Sequence, residues 1–250
     1  MRHILILGGT TEASTLARAL ADRGEKATLC YAGRVEVPKV QPVAVRVGGF
    51  GGVDGLVLYI RMNAISHVVD ATHPFAAQIS ANAIAATQTT GVPLIAFTRT
   101  PWMPGPGDQW ICVPDIAAAV AALAGPPQSV LLALGRMHLA SFAAQPQHHY
   151  VLRLIDPPIG PPPLPRHSVI VARGPFDVAG DVTLMRCHAV DRIVAKNAGG
   201  RGADAKLDAA RLLGLPVLMI DRPAIPARHE ATKLVDVLDW LDHADTERGV

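Results

Sequence analysis

The chain carries the same unit twice. Val68-Val69-Asp70-Ala71-Thr72, followed by Gly91-Val92-Pro93-Leu94-Ile95-Ala96-Phe97-Thr98-Arg99, is echoed by Ile193-Val194-Ala195-Lys196-Asn197 and Gly214-Leu215-Pro216-Val217-Leu218-Met219-Ile220-Asp221-Arg222. An earlier pair agrees: Ile4-Leu5-Ile6-Leu7-Gly8 and Val130-Leu131-Leu132-Ala133-Leu134-Gly135 both run into a helical pattern. The offset of roughly 125 residues is far longer than the ~20–50 of a solenoid repeat, so the duplication predicts two similar domains. In open α/β sheets the ligand sits outside the carboxyl ends of the strands, so two such domains facing each other would enclose a cleft.

Composition narrows the class. Of the 250 residues, 50% are apolar and only 4% aromatic, the aliphatic profile of helices packed tightly on parallel sheets. No apolar run approaches the ~18 residues of a membrane span. Met1-Arg2-His3 leads into only Ile4–Leu7 before Gly8-Gly9, too short for a signal-peptide core, so a soluble cytoplasmic protein is expected. Cys30, Cys112 and Cys187 are scattered without metal-ligand spacing and read as reduced thiols. A net charge of +2 lacks the basic footprint of a nucleic-acid binder. Arginines and lysines nevertheless outnumber aspartates between Arg153 and Lys206, which suits an anionic ligand there.

Periodicity predicts strands at Ile4–Leu7, Ala27–Tyr31, Ala44–Val47, His67–Asp70 and up to Phe97, with helices after Gly9, near Val53–Asn63, and from the end of an Ala71–Phe75 loop to about Thr89. Such a βαβ series with short, right-handed connections closes into a parallel sheet. The proline- and glycine-rich stretch Thr98–Trp110 reads as linker. The expected division is therefore a Rossmann-like or flavodoxin-like domain over 1–98, a linker with one helix (about Asp115–Ala124) over 99–128, and a second such domain over 129–250. In the latter, strands at Val130, Val169–Val171, Arg192–Ala195 and Pro216–Ile220 alternate with helices after Gly174-Pro175, at Ala203–Leu213 and at Ala231–His243.

Four places carry candidate chemistry. Gly8-Gly9-Thr10-Thr11-Glu12-Ala13 lies between a strand and a helix, where backbone N–H groups and the helix dipole favour an anion. Its glycines are adjacent and Ala13 stands where the dinucleotide fingerprint has its third glycine; the alternative is a tight turn capped by Thr10 or Thr11. Past the second strand, Arg34 stands where NAD-binding folds keep an acid, which suits a 2′-phosphate and hence NADP. Asp70-Ala71-Thr72-His73-Pro74-Phe75-Ala76 sets a hydroxyl, an imidazole and a ring at a strand's carboxyl end. Pro74 fits the first turn of the next helix there, and His73 can donate a hydrogen bond or a proton near neutral pH. Lys196-Asn197-Ala198-Gly199-Gly200-Arg201-Gly202, with Lys206 in the following turn, offers donors for carboxylates or phosphates. Cys187-His188 and His148-His149 do not complete a metal site. A Gly-x-Ser-x-Gly elbow and a Walker lysine are both missing.

Taken together and in order, these strings and Leu215–Pro223 resemble the precorrin-6A reductase family of cobalamin biosynthesis. Asp70–Ala76 is the most specific part. Family members often carry serine where this chain has Ala198. The resemblance implies an oxidoreductase that uses NADPH to saturate one CH–CH double bond of a tetrapyrrole. It further implies that Gly8, Gly9, Thr10, Glu12, Ala13 and Arg34 hold the dinucleotide, with Thr72, Pro74 and Phe75 lining the site of transfer. His73 is then the candidate catalytic residue, and Lys196, Asn197, Gly199, Gly200, Arg201 and Lys206 meet the carboxylate-rich substrate. Three alternatives stay open: reduction of the cobalt-containing precorrin, a non-catalytic two-domain binder of a nucleotide or anionic metabolite, and a glycosyl-transfer enzyme of paired Rossmann-like domains.

Overall fold

The computed structural model describes residues 2–32, 40–158 and 160–243. Its elements follow in the order β1 (His3–Leu7), α1 (Thr11–Asp22), β2 (Lys26–Tyr31), β3 (Ala44–Val47), α2 (Val53–Met62), β4 (His67–Asp70), α3 (Ala77–Thr90) and β5 (Leu94–Phe97). Then come β6 (Gln109–Val113), α4 (Ile116–Ala121), β7 (Ser129–Ala133), a 3-10 segment (Arg136–Ala144), β8 (His149–Leu154), β9 (His167–Val171), α5 (Val178–Cys187), β10 (Arg192–Lys196), α6 (Ala205–Leu213) and β11 (Pro216–Ile220). Last are β12 (Glu230–Ala231) and α7 (Leu234–His243).

Two compact units result. One comprises Met1–Arg99 with Ala224–Val250, the other Thr100–Pro223. Each holds one six-stranded parallel sheet, β12-β5-β4-β1-β2-β3 in the first and β6-β11-β10-β7-β8-β9 in the second. The duplicated strings fall on equivalent strands: β1 with β7, β4 with β10, β5 with β11. Strand order reverses beside β1 in the first sheet and beside β7 in the second, the kind of position at which open α/β sheets bind ligands.

The first sheet is covered on both faces, and β1 shows why its strands read as unbroken apolar runs. Ile4 and Ile6 pack with Leu16 and Leu20 of α1 and with Val237 and Leu241 of α7. Leu5 and Leu7 face the other way, against Leu56 and Ile60 of α2 and Ala83 and Ala86 of α3. Each such side chain stabilises the fold by about 1.5–3 kcal/mol through burial. In the second unit Leu131, Ile193, Ala195 and Met219 pack on Met185 of α5 and Leu207 and Ala210 of α6.

The domain limits read from sequence need correction at both ends. Residues 99–128 are not a linker: β6 pairs in parallel with β11, and Asp108, whose side chain is 1% exposed, receives Arg211 of α6 at 2.9 and 3.0 Å. Residues 224–243 do not belong to the second unit. There, β12 covers the outer edge of β5, and α7 buries Val237 and Leu241 in the first core. An unpaired β5 edge would expose a row of backbone donors and acceptors, which is the physical reason for the return. Strand β8 carries no signal that the sequence reading used. The helix after the Ala71–Phe75 loop starts at Ala77, so Pro74 is not in its first turn: Pro74 and Phe75 sit in a turn closed by the Ala76 N–H donating to the His73 carbonyl at 2.7 Å.

Candidate active site

In the first unit the reversal lies between β1 and β4, and one side chain spans it. Thr10 Oγ1 accepts from the Ala13 N–H at 3.2 Å, capping α1, and donates to the Ala71 carbonyl at 2.7 Å. The turn before it has no room for larger residues at Gly8, whose Cβ would lie 2.4 Å from Leu29 Cδ1 and 3.2 Å from the Ala13 methyl. Ala13 is fully buried and so serves as helix–strand packing. Gly9 is exposed, with φ +121° and open space where its Cβ would be, so a ligand can approach the backbone closely.

Glu12 is paired with Arg99 of the same unit. It receives Arg99 through two hydrogen bonds, 2.8 and 2.6 Å. Burial pushes its carboxyl up, but the Arg99 bonds and charge outweigh this and hold it below the ordinary range. Arg34 lies outside the described residues.

The Asp70–Ala76 string divides into a buried half and an outer half. Asp70 receives the Thr72 N–H at 3.1 Å and its Oγ1 at 2.6 Å on one oxygen, and Ser80 Oγ at 2.6 Å and Arg228 on the other. The Thr72 hydroxyl therefore shapes the loop. Pro74 is buried, Phe75 half-buried and His73 exposed. His73 Nδ1 accepts from the Phe75 N–H at 3.2 Å, with the two rings 5.8 Å apart. With Nδ1 engaged by the Phe75 N–H, Nε2 is the ring's donor.

In the second unit the loop after β10 is built around Trp102. Its N–H donates to Asn197 Oδ1 at 2.8 Å, its carbonyl accepts Asn197 Nδ2 at 3.0 Å, and its indole donates to the Gly200 carbonyl at 2.9 Å. Arg222 clamps the Asn197 and Ala198 carbonyls at 3.0 and 3.1 Å. At Gly199, φ is +68° and a Cβ would lie 2.2 Å from the Thr100 carbonyl oxygen. Asn197 and Gly199 are thus framework, while Lys196 is half-buried at the strand end and Arg201 is exposed. Lys206 is buried. Its ammonium donates to the Ala203 carbonyl and lies 4.8 Å from the Trp102 ring centroid. Burial, followed by the nearby Arg153 charge, lowers its pKa to about 8.

Arg99, Trp102, Arg222 and Arg228 escaped the sequence reading. Two of them had a signal: Arg99 and Arg222 close the duplicated strings at the same position. Arg228 had none. A hollow of about 770 Å³ near the start of β5, lined by Gly91, Arg228, His229 and Trp240, includes neither the Gly8–Glu12 turn nor the Thr72–Phe75 loop.

The family model of precorrin-6x reductase CbiJ/CobK matches residues 3–242. The chain belongs to this family. Among members, a precorrin-6A reductase of Rhodobacter capsulatus is 59% identical over 251 residues, covering 100% of both chains. A precorrin-6A reductase of a Sinorhizobium species is 49% identical, covering 96% of this chain and 94% of its own. A solved structure titled CobK precorrin-6A reductase superposes with a TM-score of 0.94 at 59% identity, covering 100% of both chains.

Proposed function

We propose that this chain reduces precorrin-6A to precorrin-6B with NADPH. The observation that carries the reading is full-length identity of 59% to a precorrin-6A reductase, on a fold whose first sheet reverses order at a glycine turn. Relatives at 59% and 49% identity are named for the cobalt-free substrate, which favours it over the cobalt-containing one. No helix among the described residues is long and apolar enough to cross a membrane.

The residues fit a dinucleotide. The exposed Gly9 backbone at the start of α1 receives the pyrophosphate, with Thr10 fixing the turn and Arg34 meeting the 2′-phosphate. When bound, NADPH supplies the hydride. The chain's own work is placement: Thr72, Pro74 and Phe75 form a loop held from behind by Asp70, and His73 donates a hydrogen bond that polarises the macrocycle. The proton completing the reduction is drawn from water. Lys196 and Arg201 meet substrate carboxylates.

Loss of the reduced-nicotinamide absorbance only when precorrin-6A is added is the expected result. Binding of either ligand without oxidation would instead identify a non-catalytic binder. An Arg34→Ala variant is expected to lose the preference for NADPH over NADH; an unchanged preference removes Arg34 from the cofactor site.

A further inference from the structure

Glu12 stands in the first turn of α1, inside the string whose backbone is proposed to receive the pyrophosphate. A carboxylate there is favourable in the free protein, because it faces the positive end of the helix dipole. Toward a bound pyrophosphate it is a like charge, and the two groups repel more strongly where water is partly excluded. The side chains of Arg99 and Glu12 are 16% and 23% exposed. Besides Arg99, the backbone N–H of Glu12 and the hydroxyl of Thr10 hold its carboxyl low against the upward push of burial. The carboxylate therefore lies against the amide end of the helix, where a phosphate is also held.

Arg99 reaches this spot from across the reversal point. It follows β5, and β4 stands between β5 and β1 in the sheet. The guanidinium meets Glu12 through Nε and Nη2, at 2.8 and 2.6 Å, while Nη1 donates to nothing among the described residues. Such a fork fits a phosphate as well as a carboxylate. The turn itself, Gly8-Gly9-Thr10-Thr11, carries no cation. Its side-chain positive charge is brought from elsewhere in the unit, and Arg99 is the group paired there.

We propose that Arg99 is a pyrophosphate ligand of the dinucleotide and that Glu12 competes with the cofactor for it, presetting the guanidinium in the free protein and yielding it on binding. This rests on the cofactor placement proposed above. It reverses the role that the family resemblance gives Glu12 and adds a residue that the resemblance left out.

The test is a calorimetric titration of full-length protein with NADP⁺ and with NAD⁺ over a range of salt concentrations. Arg99→Gln is expected to weaken both by about tenfold or more, the loss of one charge-assisted contact, and to flatten the salt dependence. Arg99→Lys, which keeps the charge and loses the fork, falls between it and wild type. Glu12→Gln keeps the shape and an oxygen for Arg99. It is expected to tighten both dinucleotides several-fold and to steepen the salt dependence, whereas a merely structural role for the pair predicts weaker binding. Both dinucleotides carry the pyrophosphate, so the preference between them stays as in wild type. Unchanged or weaker binding in Glu12→Gln overturns the competition. Unchanged binding in Arg99→Gln, or a loss confined to NADP⁺, overturns the ligand role; if that variant does not fold, the sign of the Glu12→Gln change decides. Thr10→Val separates the proposal from the reading beneath it. If Thr10→Val weakens NADP⁺ binding while neither Arg99→Gln nor Glu12→Gln changes it, the cofactor placement stands and this proposal falls. If none of the three has an effect, or wild type binds no dinucleotide, the placement fails and the proposal with it.

Discussion

Arg228 and Asp70 form an ion pair whose side chains are 7% and 1% exposed, joining the returning C-terminal segment to the end of β4. The same carboxylate holds Thr72 and Ser80, so the pair fixes the loop that carries His73. Removing one partner of a buried pair leaves an uncompensated charge. Arg228→Met is therefore expected to destabilise the protein by about 3–5 kcal/mol in denaturant unfolding, with Arg228→Lys less damaging. The double variant Arg228→Met with Asp70→Asn should recover part of the loss; strict additivity would mean that the two groups do not interact.

Thr10 combines a helix cap with a tie across the reversal point. Thr10→Val removes both hydrogen bonds and should cost about 0.5–2 kcal/mol, the usual range for losing a cap. Under the proposed function it also raises the KM for NADPH more than that for precorrin-6A, and Thr10→Ser restores both. Steady-state kinetics with each substrate varied in turn decides this.

Gly199→Ala places a methyl against the Thr100 carbonyl at a left-handed backbone position. Strain and overpacking together predict a loss of at least about 2 kcal/mol, read from the shift in unfolding midpoint. A stability within error of wild type would show that the loop relaxes freely.

Lys206 supplies a pH signature. Its pKa of about 8 lies below the ordinary 10.5, so between these values the unfolded chain binds more protons than the folded one. Unfolding free energy must then rise with pH across that window, by up to about 3 kcal/mol, while below pH 8 the cost of burying the ammonium is fully present. The difference between wild type and Lys206→Met, measured by denaturant unfolding at several pH values, isolates this contribution. A pH-independent difference contradicts it.

Burial raises the Cys30 thiol to about 11, whereas Cys112 and Cys187 are exposed. A thiol reagent at mildly alkaline pH is expected to modify Cys112 and Cys187 in the native protein and to reach Cys30 only on unfolding. Mass spectrometry of the labelled protein reports which sulfurs react.

The strands nearest each reversal point were legible because a parallel strand covered on both faces is written as an apolar run, and the duplication writes it twice. What was missed follows from weaker signals. Gln109-Trp110-Ile111-Cys112-Val113 is a largely exposed edge strand behind a proline-rich run. The apolar run of β8 is interrupted by Arg153, whose charge is met by Asp181 of α5. Two-residue β12 has no periodicity at all. In the site, position along the chain told which residues gather at an edge but not which way they turn. Glu12 and Thr72 look like ligand groups in sequence, yet Glu12 is engaged by Arg99, 87 residues on, and Thr72 by Asp70, two residues before it. Lys206 falls in the first turn of α6 as expected, but faces Trp102 in the interior.

Under the proposed function, the Gly8–Glu12 turn of the first unit holds the cofactor and the Lys196–Gly202 loop of the second meets the macrocycle. Amide hydrogen exchange with NADP⁺ alone, followed by addition of precorrin-6A, tests it most directly. NADP⁺ is expected to slow exchange at Gly9–Glu12 and to leave residues 197–202 unchanged until the tetrapyrrole is added. Protection of 197–202 by NADP⁺ alone, with Gly9–Glu12 unaffected, would contradict it.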